Sequence, residues 1–219
     1  MLFRSYPPGS TFKIITTAAA LRAGKVTAST QVAAPDTITL PGTTHTLENY
    51  SGESCGNGQV TLSYAFAESC NTPFAQLAMD VGDEALAQEA EAWGFESEMS
   101  VPLRVTPSTY PANDSEAQTA MAGIGQASVR VTPLMMAMVA ATVANDGEQM
   151  TPYLVSRTLD ADLNVVSTTK PSVLRTPIDS ATATALSSLM QETVASGTGK
   201  TAQVPGSTKI GRASCRERV

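Results

Sequence analysis

The chain has 219 residues, 42% hydrophobic and 16% charged, with a formal net charge of −6. This is globular composition, long enough for one domain with a real core. The acidic balance leaves no basic patch for nucleic acid, and the longest apolar run, residues 134–144, is too short to span a bilayer. Cysteines stand at 55, 70 and 215 without metal-ligand spacing, and the single histidine, His45, lies in a Thr/Gly/Pro-rich loop. Neither a metal, a cofactor nor a histidine base is therefore expected.

No signal peptide is legible at Met1, and Arg4 and Tyr6 lead straight into Tyr6-Pro7-Pro8-Gly9-Ser10-Thr11-Phe12-Lys13. Chemistry that begins at residue 10 predicts a fragment of a longer protein. Pro8-Gly9 forms a stiff turn, Ser10 is a good helix-start residue, and Ile14, Ile15, Ala18, Ala19 and Leu21 keep a helical stripe until Gly24. Ser10 and Lys13, three apart, share a face of the first turn. A desolvated lysine there can take the proton of a serine hydroxyl and make it nucleophilic. An ordinary helix-start serine beside a solvated lysine is the competing reading. Ser-x-x-Lys arises by chance roughly once in a chain of this composition. The Pro-Pro-Gly turn and the total of only five lysines favour the catalytic reading.

Residues 27–49 read as loops and small strands, for example Thr37-Ile38-Thr39-Leu40. Asn57-Gly58 is a turn, residues 60–68 a short helix capped by Thr61, and residues 74–81 a helix opened by Thr72-Pro73 and stopped by Gly82. Ser69-Cys70-Asn71 thus falls in a tight connection between helices, from which side chains can project into a cleft. Cys55 and Cys70 enclose a short loop that a disulfide could close, or they are two buried thiols. A helix over Asp83–Trp93 closes at Gly94, and residues 101–114, with three prolines, form an irregular loop. Gly123-Ile124-Gly125-Gln126 marks a sharp turn or close backbone approach. Thr132-Pro133 opens a long apolar helix with core methionines at 135, 136 and 138. Residues 153–158 and 163–166 read as a hairpin, and Asp179 caps a final helix ending in Ser196-Gly197-Thr198-Gly199.

Taken together these residues resemble the transpeptidase domain of penicillin-binding proteins, in its class B, actinobacterial-type branch. Tyr6 to Lys13 is similar to the family's first motif, and Ser69-Cys70-Asn71 to its Ser-x-Asn second motif. Gly123-Ile124-Gly125-Gln126, Val131-Thr132-Pro133-Leu134 and the Val194 to Gly199 segment also read as this family. Five elements in the right order carry more than any one alone, and the spacing of roughly sixty residues between the first two suits the family. The resemblance covers the chain from about Tyr6 to Pro205-Gly206. It implies an α+β, penicillin-binding protein/β-lactamase-like transpeptidase fold, mainly its helical central part with an incomplete antiparallel sheet. Helices that pack on the missing strands would then expose apolar faces.

The family's third motif, Lys-Thr-Gly, is not present. Lys200-Thr201-Ala202 lacks the glycine and comes too early, and the run from Lys209 to Val219 resembles a translated sequencing adapter. A partial transpeptidase domain over residues 1–208 and a non-native tail over 209–219 are therefore expected.

The resemblance further implies serine acyl transfer in peptidoglycan cross-linking, with D-Ala-D-Ala stem peptides as substrates and β-lactams as inhibitors. Ser10 is the expected nucleophile and Lys13 its base. Ser69 is the expected proton relay, and Asn71 the residue that holds Lys13 and the substrate amide. The parent protein is expected to be membrane-anchored, to work at the extracytoplasmic face of the cell membrane, and to act with a glycosyltransferase. There a Cys55–Cys70 disulfide can persist. Two other readings stay open. One is a serine β-lactamase or β-lactam sensor, although no carboxylate is evidently placed to activate a deacylating water. The other is a catalytically dead fragment that only binds.

Overall fold

The computed structural model describes residues 4–205 and residue 211. A 3₁₀ turn at Gly9–Phe12 runs into helix α1 at Lys13–Arg22. Strands β1 (Gln31–Ala34), β2 (Thr37–Thr39) and β3 (Thr46–Glu48) follow, then a 3₁₀ turn at Tyr50–Gly52 and strand β4 (Gly58–Thr61). Helices α2 (Leu62–Ala67), α3 (Thr72–Val81) and α4 (Asp83–Trp93) come next, with short strands β5 (Met99–Ser100) and β6 (Arg104–Val105). Helices α5 (Glu116–Gly123) and α6 (Pro133–Ala144) precede β7 (Gln149–Met150), β8 (Arg157–Leu159), β9 (Val165–Thr168) and β10 (Val173–Arg175). Helix α7 (Ser180–Ala195) and a 3₁₀ turn at Lys200–Ala202 complete the order.

The core is helical, and α1 is its axis. Every residue from Lys13 to Ala20 is buried, because α1 packs against α3, α4 and α7. A helix apolar on one stripe could not serve there; Thr16 and Thr17 are tolerated because their hydroxyls donate to Gly123 O and Lys13 O. Phe12 enters the same core between the rings of Phe95 and Tyr110, with centroids 5.8 and 5.7 Å away. Met135 and Met138 are buried as expected of core methionines.

Among the described residues the strands form five antiparallel pairs: β1–β4, β2–β3, β5–β6, β8–β9 and β7–β10. The fold is α+β with a fragmentary sheet, as the sequence implies. Helix ends follow local chemistry. Thr61, Thr132 and Asp179 accept from Tyr64, Met135 and Thr182 N–H groups, and Gly94 closes α4 in the left-handed region. His45 lies in an exposed loop.

Two expectations are corrected and one helix is added. Ser10 is not an N-cap: the chain already turns as 3₁₀ from Gly9, and no side chain caps this end. Helix α5, capped by Ser115 through Gln118 N–H, was not read from the sequence. Helix faces are also not where apolar surface is exposed. Among the described residues the exposed large hydrophobics cluster between Met150 and Leu174, and only Tyr64 belongs to an α-helix. The expected tail at 209–219 lies outside the described residues except for Gly211, whose N–H donates to Met190 O.

Candidate active site

Two glycines place the first motif. Gly9 has φ +56° and its N–H donates to Gly125 O at 2.9 Å. Gly125 has φ +76°, and a Cβ on it would fall 2.0 Å from Gly9 O. The close approach expected of the Gly123-Ile124-Gly125-Gln126 stretch is thus a backbone-to-backbone contact against the residue before Ser10. Tyr6 and Val131 exchange both backbone hydrogen bonds, which ties the entry strand to the segment ahead of α6. Ser10 therefore stands at a fixed point above α1, 7% exposed, with its N–H in a helix first turn that offers no intrahelical acceptor.

The second motif is the exit of α2. Ser69 N–H donates to Phe66 O and Cys70 N–H to Ala65 O, the double bond that closes a helix with a left-handed residue in between. That residue is Ser69, at φ +64° where glycine is usual. The reversal turns the Ser69 side chain back toward α1, and Asn71 then opens α3 with Pro73 at its start. Cys70, between them, is disulfide-bonded to Cys55 with Cα atoms 6.0 Å apart. The disulfide is present, and it anchors the turn to the loop ahead of β4. The Gly197-Thr198-Gly199 segment packs on the end of α2: Thr198 N–H donates to Ala67 O, and a Cβ on Gly197 would meet that oxygen at 2.3 Å.

These elements bring the two motifs into contact. Ser69 Oγ donates to Ser10 Oγ at 2.9 Å. Lys13 is fully buried, and its Nζ donates to Ser69 O at 2.7 Å, Cys70 O at 2.8 Å and Asn71 Oδ1 at 2.9 Å. The ammonium also lies 5.3 Å from the centroid of the Phe74 ring. A buried lysine is costly unless its donors are matched, and here three acceptors from one turn surround it. The solvated-lysine reading of Ser-x-x-Lys is excluded by that burial. Asn71 Nδ2 donates to Glu48 O at 3.2 Å, which fixes which face of the amide meets Lys13. Ser10, Lys13, Ser69 and Asn71, drawn from two stretches of sequence, thus form one hydrogen-bonded constellation. It combines a hydroxyl poised as nucleophile, a second hydroxyl beside it and a buried amine. Among the described residues no group of three or more His, Cys, Asp or Glu side chains could hold a metal ion.

One further residue was not singled out in the sequence. Asn49 is 5% exposed, and its Oδ1 accepts from Asn71 N–H at 2.8 Å and from Thr72 N–H at 3.2 Å. Nothing local in Leu47-Glu48-Asn49-Tyr50 marks it, since its partners lie more than twenty positions away.

Known proteins resemble this chain in sequence and fold. The family model described as penicillin binding protein transpeptidase domain matches residues 2–212. The peptidoglycan D,D-transpeptidase PbpA of Mycolicibacterium smegmatis is 44% identical over 213 residues, covering 95% of this chain and 43% of that protein. The imipenem acyl-enzyme complex of Mycobacterium tuberculosis penicillin-binding protein A superposes with a TM-score of 0.88 at 43% identity. That match covers 94% of this chain and 47% of the other. The D,D-transpeptidase domain of a peptidoglycan glycosyltransferase from Eggerthella lenta gives a TM-score of 0.93 at 30% identity, covering all of this chain and 56% of the other. The chain spans less than half the length of the curated relatives it matches. On the family match and the mycobacterial identity together, the chain belongs to the penicillin-binding protein transpeptidase family, in its class B, actinobacterial-type branch.

Proposed function

We propose that this chain carries the acyl-transfer centre of a serine D,D-transpeptidase that cross-links peptidoglycan, and that β-lactams acylate the same serine. The observation that supports this reading most is the contact between motifs: Ser69 on Ser10, and the Ser69-Cys70-Asn71 turn around Lys13.

In the proposed reaction Lys13 acts as the neutral amine, with one of its three hydrogen bonds given up to free a lone pair. Ser10 Oγ attacks the carbonyl of the penultimate D-Ala, and its proton passes to that lone pair on Lys13 Nζ. The oxygen of the tetrahedral intermediate takes a hydrogen bond from the Ser10 N–H at the helix start. When the C–N bond breaks, Ser69 gives its proton to the departing D-Ala amine and is reprotonated through Lys13. An amine of a neighbouring stem peptide then attacks the ester, loses its proton to the same relay, and Ser10 is released as the hydroxyl. Asn71 holds Lys13 through Oδ1 and is placed to meet the substrate amide.

The relatives are named peptidoglycan transpeptidases, and on that basis the protein acts in the cell envelope, outside the cytoplasmic membrane. The finer expectations of a membrane anchor and a glycosyltransferase partner are part of the same proposal. No helix among the described residues is long and apolar enough to cross a membrane. Incubation of a chain that also carries a Lys-Thr-Gly stretch with a synthetic stem pentapeptide and an acceptor amine tests the reaction. Release of one D-Ala per cross-link, lost in Ser10→Ala, supports it. D-Ala release unaffected by Ser10→Ala refutes it.

A further inference from the structure

We infer that Asn49 is a positioning residue for acylation: it sets the orientation of the Ser69-Cys70-Asn71 turn about Lys13 and Ser10. The inference rests on the acyl-transfer reading above and adds to it a residue outside the recognised motifs.

The turn makes a conformational demand of its own. Ser69 is in a left-handed conformation that a serine adopts only when its surroundings impose it. From there the chain must run directly into α3, and the N–H groups at a helix start have no acceptor within the helix. Asn71, at that start, has no side-chain cap, because its own amide is committed to Lys13 and Glu48 O. Asn49 supplies what is lacking. Its Oδ1 takes both the Asn71 and Thr72 N–H groups, so a side chain twenty-two residues away caps α3 in place of a local one. The adjoining Glu48 carbonyl takes Asn71 Nδ2. One dipeptide at the end of β3 therefore fixes both the backbone and the side chain of Asn71.

The consequence reaches the reacting atoms through two bonds. Asn71 Oδ1 holds Lys13 Nζ, and the carbonyls of Ser69 and Cys70 hold it from the other sides. Ser69 Oγ, on the same turn, holds Ser10 Oγ. A rotation of the Asn71 peptide moves all of these together. The polarity of Asn49 is also one-sided: Oδ1 makes two hydrogen bonds, while the buried Nδ2 makes none with the described residues. An isolated buried donor is unfavourable, so the position is occupied for its acceptor oxygen. The disulfide pins Cys70 to the loop that follows Asn49, so the turn is held from both sides of one segment.

The test uses the full chain, benzylpenicillin as acylating agent, and intact mass spectrometry to count acylated molecules and follow their formation. Misplacing reacting groups by about 1 Å costs on the order of a hundredfold, so Asn49→Ala is expected to slow the acylation rate constant of the titratable molecules at least about tenfold. Asn49→Asp keeps the acceptor oxygen on the Asn71 and Thr72 N–H groups and puts its charge at the N-terminus of α3, which favours an anion, and it is expected to recover the rate to within about threefold of the parent. If Asn49→Ala lowers only the number of titratable molecules and leaves their rate constant unchanged, Asn49 serves folding alone and the inference is overturned. A folded Asn49→Asp that acylates as slowly as Asn49→Ala also overturns it. Parent chain that takes no penicillin at Ser10 instead refutes the acyl-transfer reading itself, which separates the two failures.

Discussion

Ser69 Oγ lies 2.9 Å from Ser10 Oγ, although fifty-nine residues separate them. The pairing depends on two backbone conformations unusual for their positions: the left-handed Ser69 that ends α2, and the Gly9–Gly125 contact that sets Ser10. Ser69→Ala removes the donor to Ser10 while leaving the carbonyl that holds Lys13. With proton transfer by a positioned group worth about 10²–10⁴ in rate, acylation by penicillin should fall roughly a hundredfold. The thermal midpoint should move little, and stopped-flow or mass-resolved acylation measures the difference.

The Gly125 contact gives a second prediction. In Gly125→Ala the new Cβ meets the backbone oxygen and nitrogen of Gly9, neither of which can rotate away, at a φ that costs an L-residue about 1–2 kcal/mol. The variant should lose thermal stability and also acylate slowly, because Gly9 can yield only by moving Ser10. Calorimetry together with penicillin acylation checks this, and a variant that loses stability but keeps the parent rate counts against the contact as a positioning device.

The disulfide should matter to both stability and rate. Cross-linking residues fifteen apart is worth about 3 kcal/mol in the chain-entropy picture, or roughly 6–12 °C in the melting temperature of a domain this size. Cys55→Ser should lower the midpoint by that order. It should also slow acylation, since Cys70 is the middle residue of the turn that holds Lys13.

Glu89 offers a pH-dependent prediction away from the site. Its side chain is buried between α4 and α1, where it accepts from Trp93 Nε1 at 2.8 Å and pairs with Arg22 at 3.3 Å. Burial raises its carboxyl above the usual value of 4.5, only partly opposed by the Trp93 hydrogen bond and the Arg22 charge. A carboxyl raised in the folded state binds more protons there than in the unfolded chain. Its contribution to stability is therefore present below pH 4.5 and is lost as the pH rises above that value. Glu89→Gln should flatten the dependence of melting temperature on pH across that range, and should leave neutral-pH stability unchanged or higher.

Much of this was legible in the sequence where the signal is local. Gly82 and Gly94 bound α4, Asp179 starts α7, and Thr132-Pro133 starts α6, because caps and breakers act within a turn of where they stand. Ser-x-x-Lys and Ser-x-Asn were readable as motifs, and the structure brings the two into contact. Helix α5 is not legible although Ser115 and Gln118 carry a capping signature, because its eight residues are mostly small or polar and carry no apolar stripe. The β7–β10 pair joins residues more than twenty positions apart in strands of two and three residues, too short to show alternation. Asn49 was not legible for the same reason: its role exists only once the chain brings β3 to the start of α3.

On the reading proposed above, Ser10, which accepts a hydrogen bond from Ser69 Oγ, is the acylated nucleophile. Incubating the chain with benzylpenicillin, digesting it and sequencing the modified peptide by mass spectrometry tests this most directly. A stable penicilloyl adduct on Ser10, absent in Ser10→Ala, is the predicted result. An adduct that forms equally in Ser10→Ala, or no adduct after long incubation, would contradict it.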